Sequence, residues 1–171
     1  MRNFLLGFSS GLIIFFLTSN FFLQPEIHPV FSPEDGSEII NLIKNAEDSI
    51  EIEMYVFTSR DVVDALVDAK ARGVNIRIII ERSTISGSNK QIFDELAAKG
   101  FNVRYASKTY KLTHSKFMII DNKSVLVGSH NFSNSALFKN REASVIIADH
   151  NTVSEFLSIF ELDWALSSFS G

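Results

Sequence analysis

The sequence contains no cysteine among its 171 residues. This absence excludes disulfide bonds, zinc sites built on thiolates, and a cysteine nucleophile. Proline is also scarce, and its three copies all fall within residues 25–33. We interpret this proline-containing segment as a linker that leads into a folded domain.

Charged residues are absent from residues 4–23, an apolar run of 20 residues that is long enough to span a bilayer as a helix. Arg2 precedes the run, and no Lys or Arg follows it before Lys44. The positive-inside bias therefore predicts a single-pass membrane protein whose domain lies on the extracytoplasmic side, periplasmic or extracellular. The alternatives are a secretory signal, although no small-x-small cleavage site follows the run, and a buried soluble helix, although the run has no polar face.

Acidic residues are nearly absent from residues 99–141, which contain Asp121 together with eight Lys and Arg. Residues 26–98 have the opposite balance, with 14 acidic and 7 basic residues, and the net charge of −4 hides this division. A local positive field of this kind suits a polyanionic substrate. The alternative is a solvated surface on which basic residues cluster by chance.

The hydrophobic pattern predicts strands and helices that alternate early, followed by strands that cluster late. We therefore expect an α/β domain with a mixed β-sheet sandwiched by helices, preceded by an N-terminal transmembrane helix. The expected organisation is a membrane anchor or uncleaved signal at 1–24, a linker at 25–33 and the catalytic domain at 34–171. The predicted strands are SIEIEMYVF, VNIRIIIE, FNVRYA, KFMII, SVLVG and ASVIIA, of which KFMII and SVLVG form a hairpin with its turn at 121–123.

Helix boundaries are predicted from capping signals. Ser32 is expected to cap the first helix, with Pro33 at its first helical position. Later helices are expected at 60–72 and 88–99, each followed by a glycine. Thr152 is expected to begin the closing helix, which extends to Leu166.

The most informative stretch is HSKFMIIDNKSVLVGSHN, which lies within the basic segment. His114 and Lys116 are two positions apart, so in a strand their side chains lie on the same face. An imidazole beside an ammonium group indicates a site for an anion. Asp121 follows, and after six further residues come Gly128-Ser129 and Asn131.

Together these residues form the pattern H-x-K-x4-D followed by G-S-x-N. It resembles the HKD motif of the phospholipase D superfamily, in particular its short single-motif endonucleases of the Nuc type. The resemblance extends more loosely over residues 30–167 and includes Glu142, at a position where such nucleases have a functional glutamate. It implies the fold of that superfamily and the cleavage of a phosphodiester. Membrane-anchored relatives exist, including a branch similar to mitochondrial cardiolipin hydrolase.

Phosphodiester cleavage requires a nucleophile, a proton for the leaving oxygen, and positive charge near the phosphate oxygens. The resemblance implies His114 as the nucleophile that forms a phosphohistidine, which water then hydrolyses. Lys116, Asn131 and Ser129 are expected to hold the phosphate oxygens. Glu142 is expected to bind the far nitrogen of His114 and fix its tautomer. No metal or other cofactor is expected.

Asp121 belongs to the motif but is expected to be structural. It lies seven residues from His114, about 24 Å along an extended strand, and alternation points it to the opposite face. We therefore interpret it as a turn residue that accepts hydrogen bonds from backbone amides. The remaining candidates are one structural glycine and three substrate-binding residues: Gly128, and Lys108, Lys111 and His130.

The leading hypothesis is a membrane-anchored, metal-independent nuclease that cleaves DNA or RNA. The alternative is a phospholipase D-type hydrolase of cardiolipin or another phospholipid, since an anchor would hold it at its substrate. A non-catalytic nucleic-acid-binding module is a third hypothesis, although each residue of the motif is intact. Because this chain has one HKD motif whereas longer relatives have two, we expect a homodimer with a composite active site. In a monomer, His130 would have to protonate the leaving oxygen.

Overall fold

The computed structural model of the protein describes residues 26–83 and 88–169. The strands are β1 (Glu26–Phe31), β2 (Ser49–Met54), β3 (Asn75–Ile80), β4 (Asn102–Tyr105), β5 (Lys116–Ile120), β6 (Ser124–Gly128) and β7 (Ala143–Ala148). The helices are α1 (Gly36–Asn45), α2 (Arg60–Ala71), α3 (Asn89–Ala98), α4 (Asn134–Phe138) and α5 (His150–Leu166). The strands form one seven-stranded sheet in the order β1-β7-β6-β5-β2-β3-β4.

The sheet is mixed and has helices on both faces. Strands β2, β3 and β4 are parallel, and the other neighbouring strands are antiparallel. Along β5, Met118 and Ile120 pack in the core beneath α1, α2 and α3, whereas Phe117 and Ile119 pack beneath α5. The expected α/β domain with a mixed sheet between helices is confirmed.

The hairpin of β5 and β6 forms as predicted. Asp121 and Asn122 in its turn have φ angles of 54° and 53°. Aspartate and asparagine tolerate this left-handed conformation better than most residues, and it matches the twist of a tight hairpin. The hairpin has a functional consequence, because β5 begins and β6 ends at the same edge of the sheet.

The segment that was expected to be a linker contains a strand. Residues Glu26–Phe31 form β1, which pairs antiparallel with β7 at the edge of the sheet. The sequence pattern did not predict this strand because prolines disfavour strands in general. Pro29 is compatible with an edge position, where one side of the strand needs no ladder donor.

Two helices begin at other residues than expected. Helix α1 begins at Gly36 and not at Pro33. Helix α5 begins at His150, two residues before Thr152. The cap of α5 is Asp149, whose carboxylate accepts a hydrogen bond of 2.8 Å from the amide of Thr152.

The predicted membrane span at residues 4–23 lies outside the described residues. Within the two described ranges, no helix is both long and apolar enough to cross a bilayer.

Candidate active site

The motif residues meet at one edge of the sheet. His114 lies two residues before β5, Lys116 is the first residue of β5, and Ser129 and Asn131 follow the end of β6. Glu142 directly precedes β7. Because β5, β6 and β7 are antiparallel neighbours, the start of β5, the end of β6 and the start of β7 coincide at this edge. Residues far apart in sequence are therefore brought to a single site.

The imidazole and the ammonium group of the motif are in contact. The Nζ atom of Lys116 lies 3.2 Å from Nδ1 of His114 and donates a 2.8 Å hydrogen bond to the His114 carbonyl oxygen. The ring of Tyr55, which follows β2, lies 4.3 Å from the His114 ring and 5.2 Å from Lys116 Nζ, measured to the ring centre. Burial lowers the pKa of Lys116, and the negative charge of Glu142 acts in the opposite direction. His114 itself is exposed to solvent and can reach a substrate.

Glu142 does not bind His114 within one chain, in contrast to the expectation. Its Oε2 atom accepts a 2.6 Å hydrogen bond from the Ser129 hydroxyl, and its Oε1 atom accepts one of 3.2 Å from the Asn140 side chain. The buried Ser32 hydroxyl accepts from the Glu142 amide at 3.1 Å. These contacts hold the carboxylate on the β6–β7 side of the site. The Ser129 hydroxyl therefore orients the Glu142 carboxylate, and Ser129 also lies at the site.

Asn131 has a defined orientation. Its Oδ1 atom accepts a hydrogen bond of 3.2 Å from the backbone amide of Val56. The NH2 group of Asn131 is therefore the end of the side chain that can donate to an anion.

Gly128 is required by the close approach of β6 and β7. A Cβ atom at this position would lie 2.3 Å from the Ser144 hydroxyl oxygen and 2.5 Å from the Ala143 carbonyl oxygen. Any side chain would push the strands apart and displace the loop that contains Ser129 and Asn131. This steric constraint explains why the motif has a glycine at this position.

His130 is not a surface residue, which argues against the expectation that it contacts substrate. It is only 2% exposed, and its Nδ1 atom lies 2.7 Å from the Ser144 hydroxyl oxygen. Burial lowers the pKa of His130, with the charge of Glu142 opposing the shift. A buried imidazole that disfavours its charged form is a poor candidate for the acid that protonates a leaving group.

Asp121 lies at the opposite end of β5 from His114. Its carboxylate accepts hydrogen bonds from three consecutive backbone amides at the start of β2, those of Glu47, Asp48 and Ser49, at 2.7–3.1 Å. The aspartate of the motif therefore ties the β5–β6 turn to β2 and does not touch the anion site.

A cleft next to the motif contains acidic residues that the sequence pattern did not reveal. It has a volume of about 510 Å³, and its wall includes His114, Lys116, Glu53, Phe156 and Asp163. The sequence SIEIEMYVF predicts a strand but not which of its residues a helix covers. Helix α5 contacts the strand, and Glu53 is only 2% exposed.

Glu53 connects this buried layer to the motif. It accepts a hydrogen bond from the hydroxyl of Ser115, the residue between His114 and Lys116. Burial and, to a smaller extent, the nearby carboxylate of Asp163 raise the pKa of Glu53 to about 7, against the lowering effect of the hydrogen bond from Ser115. Near neutral pH, Glu53 is therefore partly protonated.

Replacing Glu53 with glutamine should change how stability depends on pH. The folded chain keeps the Glu53 proton up to about pH 7, whereas a glutamate with the ordinary pKa of 4.5 has lost it. The free energy of unfolding of the wild type should consequently fall as pH rises through this window, and level off above it. Glu53→Gln stays neutral and should become more stable than the wild type above pH 7, by about 3 kcal/mol at most.

Denaturant titrations across this pH range measure the effect. Glu155→Gln is the matched control, because Glu155 is an exposed carboxylate on the wall of the same cleft. The control should retain the wild-type pH dependence. Equal pH dependence in Glu53→Gln and the wild type would contradict the assignment.

No group of three or more His, Asp or Glu side chains within residues 26–83 and 88–169 is arranged to hold a metal ion.

Comparisons with known proteins show the family of this chain. A family model described as "Cardiolipin synthase, PLD-like domain" matches residues 39–164. The chain is 33% identical over 136 residues to "Phospholipase D" of Rickettsia conorii, covering 78% of this chain and 67% of that protein. It is 30% identical over 128 residues to "Mitochondrial cardiolipin hydrolase" of Mus musculus, covering 75% of this chain and 57% of that protein.

Among solved structures, the chain is similar to Nuc from Salmonella typhimurium, which is described as a phospholipase D family member. The TM-score is 0.77 and the identity 31%, covering 84% of this chain and 97% of the Nuc chain. The residues matched by the family model include all of the motif from His114 to Glu142. The chain therefore belongs to the phospholipase D superfamily of phosphodiester hydrolases.

Proposed function

We propose that the protein is a metal-independent nuclease that cleaves phosphodiester bonds in DNA or RNA. The observation that carries this proposal is the contact of His114 with Lys116 at an exposed edge, with the Asn131 amide positioned at the same edge. This set provides a nucleophile and donors for the phosphate oxygens without a metal ion.

The proposed reaction has two steps. A ring nitrogen of His114 attacks phosphorus, the bond from phosphorus to the leaving oxygen breaks, and a phosphohistidine forms. A second group protonates the leaving oxygen. Water then attacks the phosphohistidine and releases a phosphomonoester and free His114. Lys116 and Asn131 stabilise the negative charge on the phosphate oxygens in both steps.

The basic loop beside the motif favours nucleic acid over lipid. Lys108 and Lys111 lie in the loop between β4 and β5, and both are exposed. Such a loop is attractive to a chain of phosphates.

A phospholipid hydrolase is the second candidate. It is supported by the names of the relatives, "Phospholipase D" and "Mitochondrial cardiolipin hydrolase". The apolar run at residues 4–23 supports it too, because an anchor of this kind would keep the domain at a bilayer. We also propose that this run holds the domain on the extracytoplasmic side, which protease digestion of intact and permeabilised cells would test.

A substrate panel tests the proposed function. The full-length chain in detergent micelles is incubated with single-stranded DNA, plasmid, RNA and cardiolipin, each with and without EDTA. We expect cleavage of a nucleic acid at the same rate in both conditions. Cleavage of cardiolipin alone would favour the second candidate. Loss of activity in EDTA that Mg²⁺ restores would contradict the histidine mechanism.

We further propose that the active enzyme is a homodimer with a composite site. The carboxylate of Glu142 is held on Ser129 within its own chain, and we propose that a second copy supplies a carboxylate to His114. Helix α5 supports this arrangement, because Ile159, Leu162 and Leu166 on its outer face are 53%, 52% and 45% exposed. Ile159 also lines the cleft beside His114, so a copy covering this face would reach the site.

Mixed dimers test the shared site. Wild-type and His114→Ala chains are coexpressed at equal levels so that they pair at random. If one site needs both copies of His114, only wild-type pairs are active, about one quarter of the dimers. Independent sites would retain about one half of the activity. Coexpression with Ile27→Ala, an exposed position at the far end of β1, is the control and should leave activity at the wild-type level.

A further inference from the structure

A second pocket lies at the same edge of the sheet as the motif. It is formed where β3 and β4 end and has a volume of about 320 Å³. Its wall includes two hydroxyl groups, three basic residues and one tyrosine: Ser83, Ser107, Arg82, Lys108, Lys111 and Tyr110. The pocket therefore combines hydrogen-bond donors, positive charge and an aromatic ring.

Tyr110 is the distinctive residue of this pocket. It is 46% exposed, in the loop between β4 and β5, and lies between Lys108 and Lys111 in the sequence. Arg82 adds a further positive charge to the wall, while its guanidinium packs on the ring of Tyr105 at 4.7 Å. An exposed aromatic ring among cations is the usual arrangement of proteins that bind single-stranded nucleic acid, in which bases stack on the ring and cations hold the backbone.

The pocket is connected rigidly to the catalytic histidine. Glu81, which is 5% exposed, accepts a hydrogen bond of 2.8 Å from the amide of Thr113, the residue before His114. The other oxygen of Glu81 accepts one of 2.6 Å from the amide of Ser83 in the pocket wall. One buried carboxylate thus fixes the pocket and the nucleophile relative to each other.

The distance between the pocket and the motif suits a polymeric substrate. In the sheet order β5-β2-β3-β4, the pocket strands are the second and third neighbours of β5. At about 4.8 Å per strand, their ends lie about 10–14 Å from the start of β5. A stacked strand with a rise of about 3.4 Å covers this distance in three or four nucleotides.

We infer that this pocket is a second subsite for single-stranded nucleic acid, in which Tyr110 stacks against a base three or four nucleotides from the scissile phosphate. Lys108 and Lys111 hold the neighbouring phosphates. The inference rests on the proposed function and adds a preference for single strands, because the bases of a duplex already stack on one another.

The experiment compares long and short substrates with the full-length chain in detergent micelles. The variants are Tyr110→Ala, Tyr110→Phe and, as a control for loss of an exposed apolar side chain, Ile27→Ala. The substrates are a twelve-nucleotide single strand, the same sequence as a duplex, and bis(p-nitrophenyl) phosphate, which is too small to reach Tyr110. For the single strand, Tyr110→Ala should lower kcat/KM by roughly 5- to 100-fold, mainly through KM.

The other pairs of variant and substrate should keep the kcat/KM of the wild type. Tyr110→Phe keeps the ring and should retain wild-type kinetics on the single strand, as should Ile27→Ala. On the duplex and on bis(p-nitrophenyl) phosphate, Tyr110→Ala should have the same kcat/KM as the wild type.

Replacing both Lys108 and Lys111 with alanine should reduce the slope of log affinity against log salt by about 1.4 for the single strand.

Two results would overturn the subsite. One is an unchanged kcat/KM of Tyr110→Ala on the single strand, and the other is an equal loss on bis(p-nitrophenyl) phosphate, which would place the effect on the fold or the chemistry. Failure of the proposed function is distinguishable, because the wild type would then hydrolyse bis(p-nitrophenyl) phosphate and cardiolipin but neither nucleic acid.

Discussion

Replacing His114 with alanine is expected to lower turnover by roughly 10⁴-fold or more, the range seen when an enzyme loses its nucleophile. The reason is that the proposed reaction proceeds through a covalent bond to the imidazole, for which alanine offers no substitute. The fold should be unaffected, because His114 is exposed and its ring contacts are with Tyr55 and Lys116 at the same edge. Turnover on the preferred substrate and thermal unfolding of the same sample measure the two effects.

The covalent intermediate provides an independent measurement. Acid quenching during turnover of a substrate labelled at phosphorus should trap label on the wild-type chain and none on His114→Ala. His150→Ala is the matched control, since His150 is an exposed histidine at the start of α5, away from the motif. It should retain both activity and label. Activity of His114→Ala close to that of the wild type would contradict the histidine mechanism.

The parts of the site that are local in sequence could be predicted. His114 and Lys116 are two residues apart, and strand alternation alone places them on one face. The hairpin that returns β6 to the same edge was predictable from the short polar turn at Asp121 and Asn122. Resemblance to a known motif added Asn131, which the structure places at the same edge as His114 and Lys116.

The parts that depend on packing between distant elements could not be predicted. Alternation in β2 marks Glu53 as polar but cannot say that α5 covers it. The burial of His130 depends on Ser144, a contact across two strands that no local pattern encodes. The bond from Ser129 to Glu142 likewise depends on the approach of β6 to β7, which Gly128 permits.

The contacts of Glu142 and Ser129 give a second copy a chemical role in the proposed mechanism. Lys116 faces Nδ1 of His114, and an ammonium group is a donor only. A neutral imidazole in this contact has its proton on Nε2, and that nitrogen cannot attack. A carboxylate that accepts a proton from Nδ1 would instead free Nε2 as the nucleophile. A shared site would supply this carboxylate, and this is why the mixed-dimer experiment bears on the chemistry as well as on assembly.

Replacing Asp121 with asparagine is expected to lower the free energy of unfolding by about 2 kcal/mol, the scale of hydrogen bonds to a charged acceptor at a partly exposed position. The lost interactions are those with the amides of Glu47, Asp48 and Ser49. Asparagine tolerates the left-handed backbone of the turn, so the effect reports on the carboxylate and not on backbone strain. The rate per folded molecule should stay within about twofold of the wild type, because the turn lies at the end of β5 opposite His114.

The pH dependence of this effect separates it from a general loss of packing. Burial opposes ionisation of Asp121, but the hydrogen bonds from Asp48, Ser49 and Glu47 outweigh it and hold its pKa below the ordinary value of 3.8. The stabilisation is therefore complete above pH 4 and is lost as pH falls through the lowered pKa, so the difference between wild type and Asp121→Asn should disappear in acid. Asp48→Asn is the matched control, which removes an exposed carboxylate near the same turn and should change stability by less than about 0.5 kcal/mol. A well-folded Asp121→Asn protein with no turnover would contradict the structural role and assign the carboxylate to the chemistry.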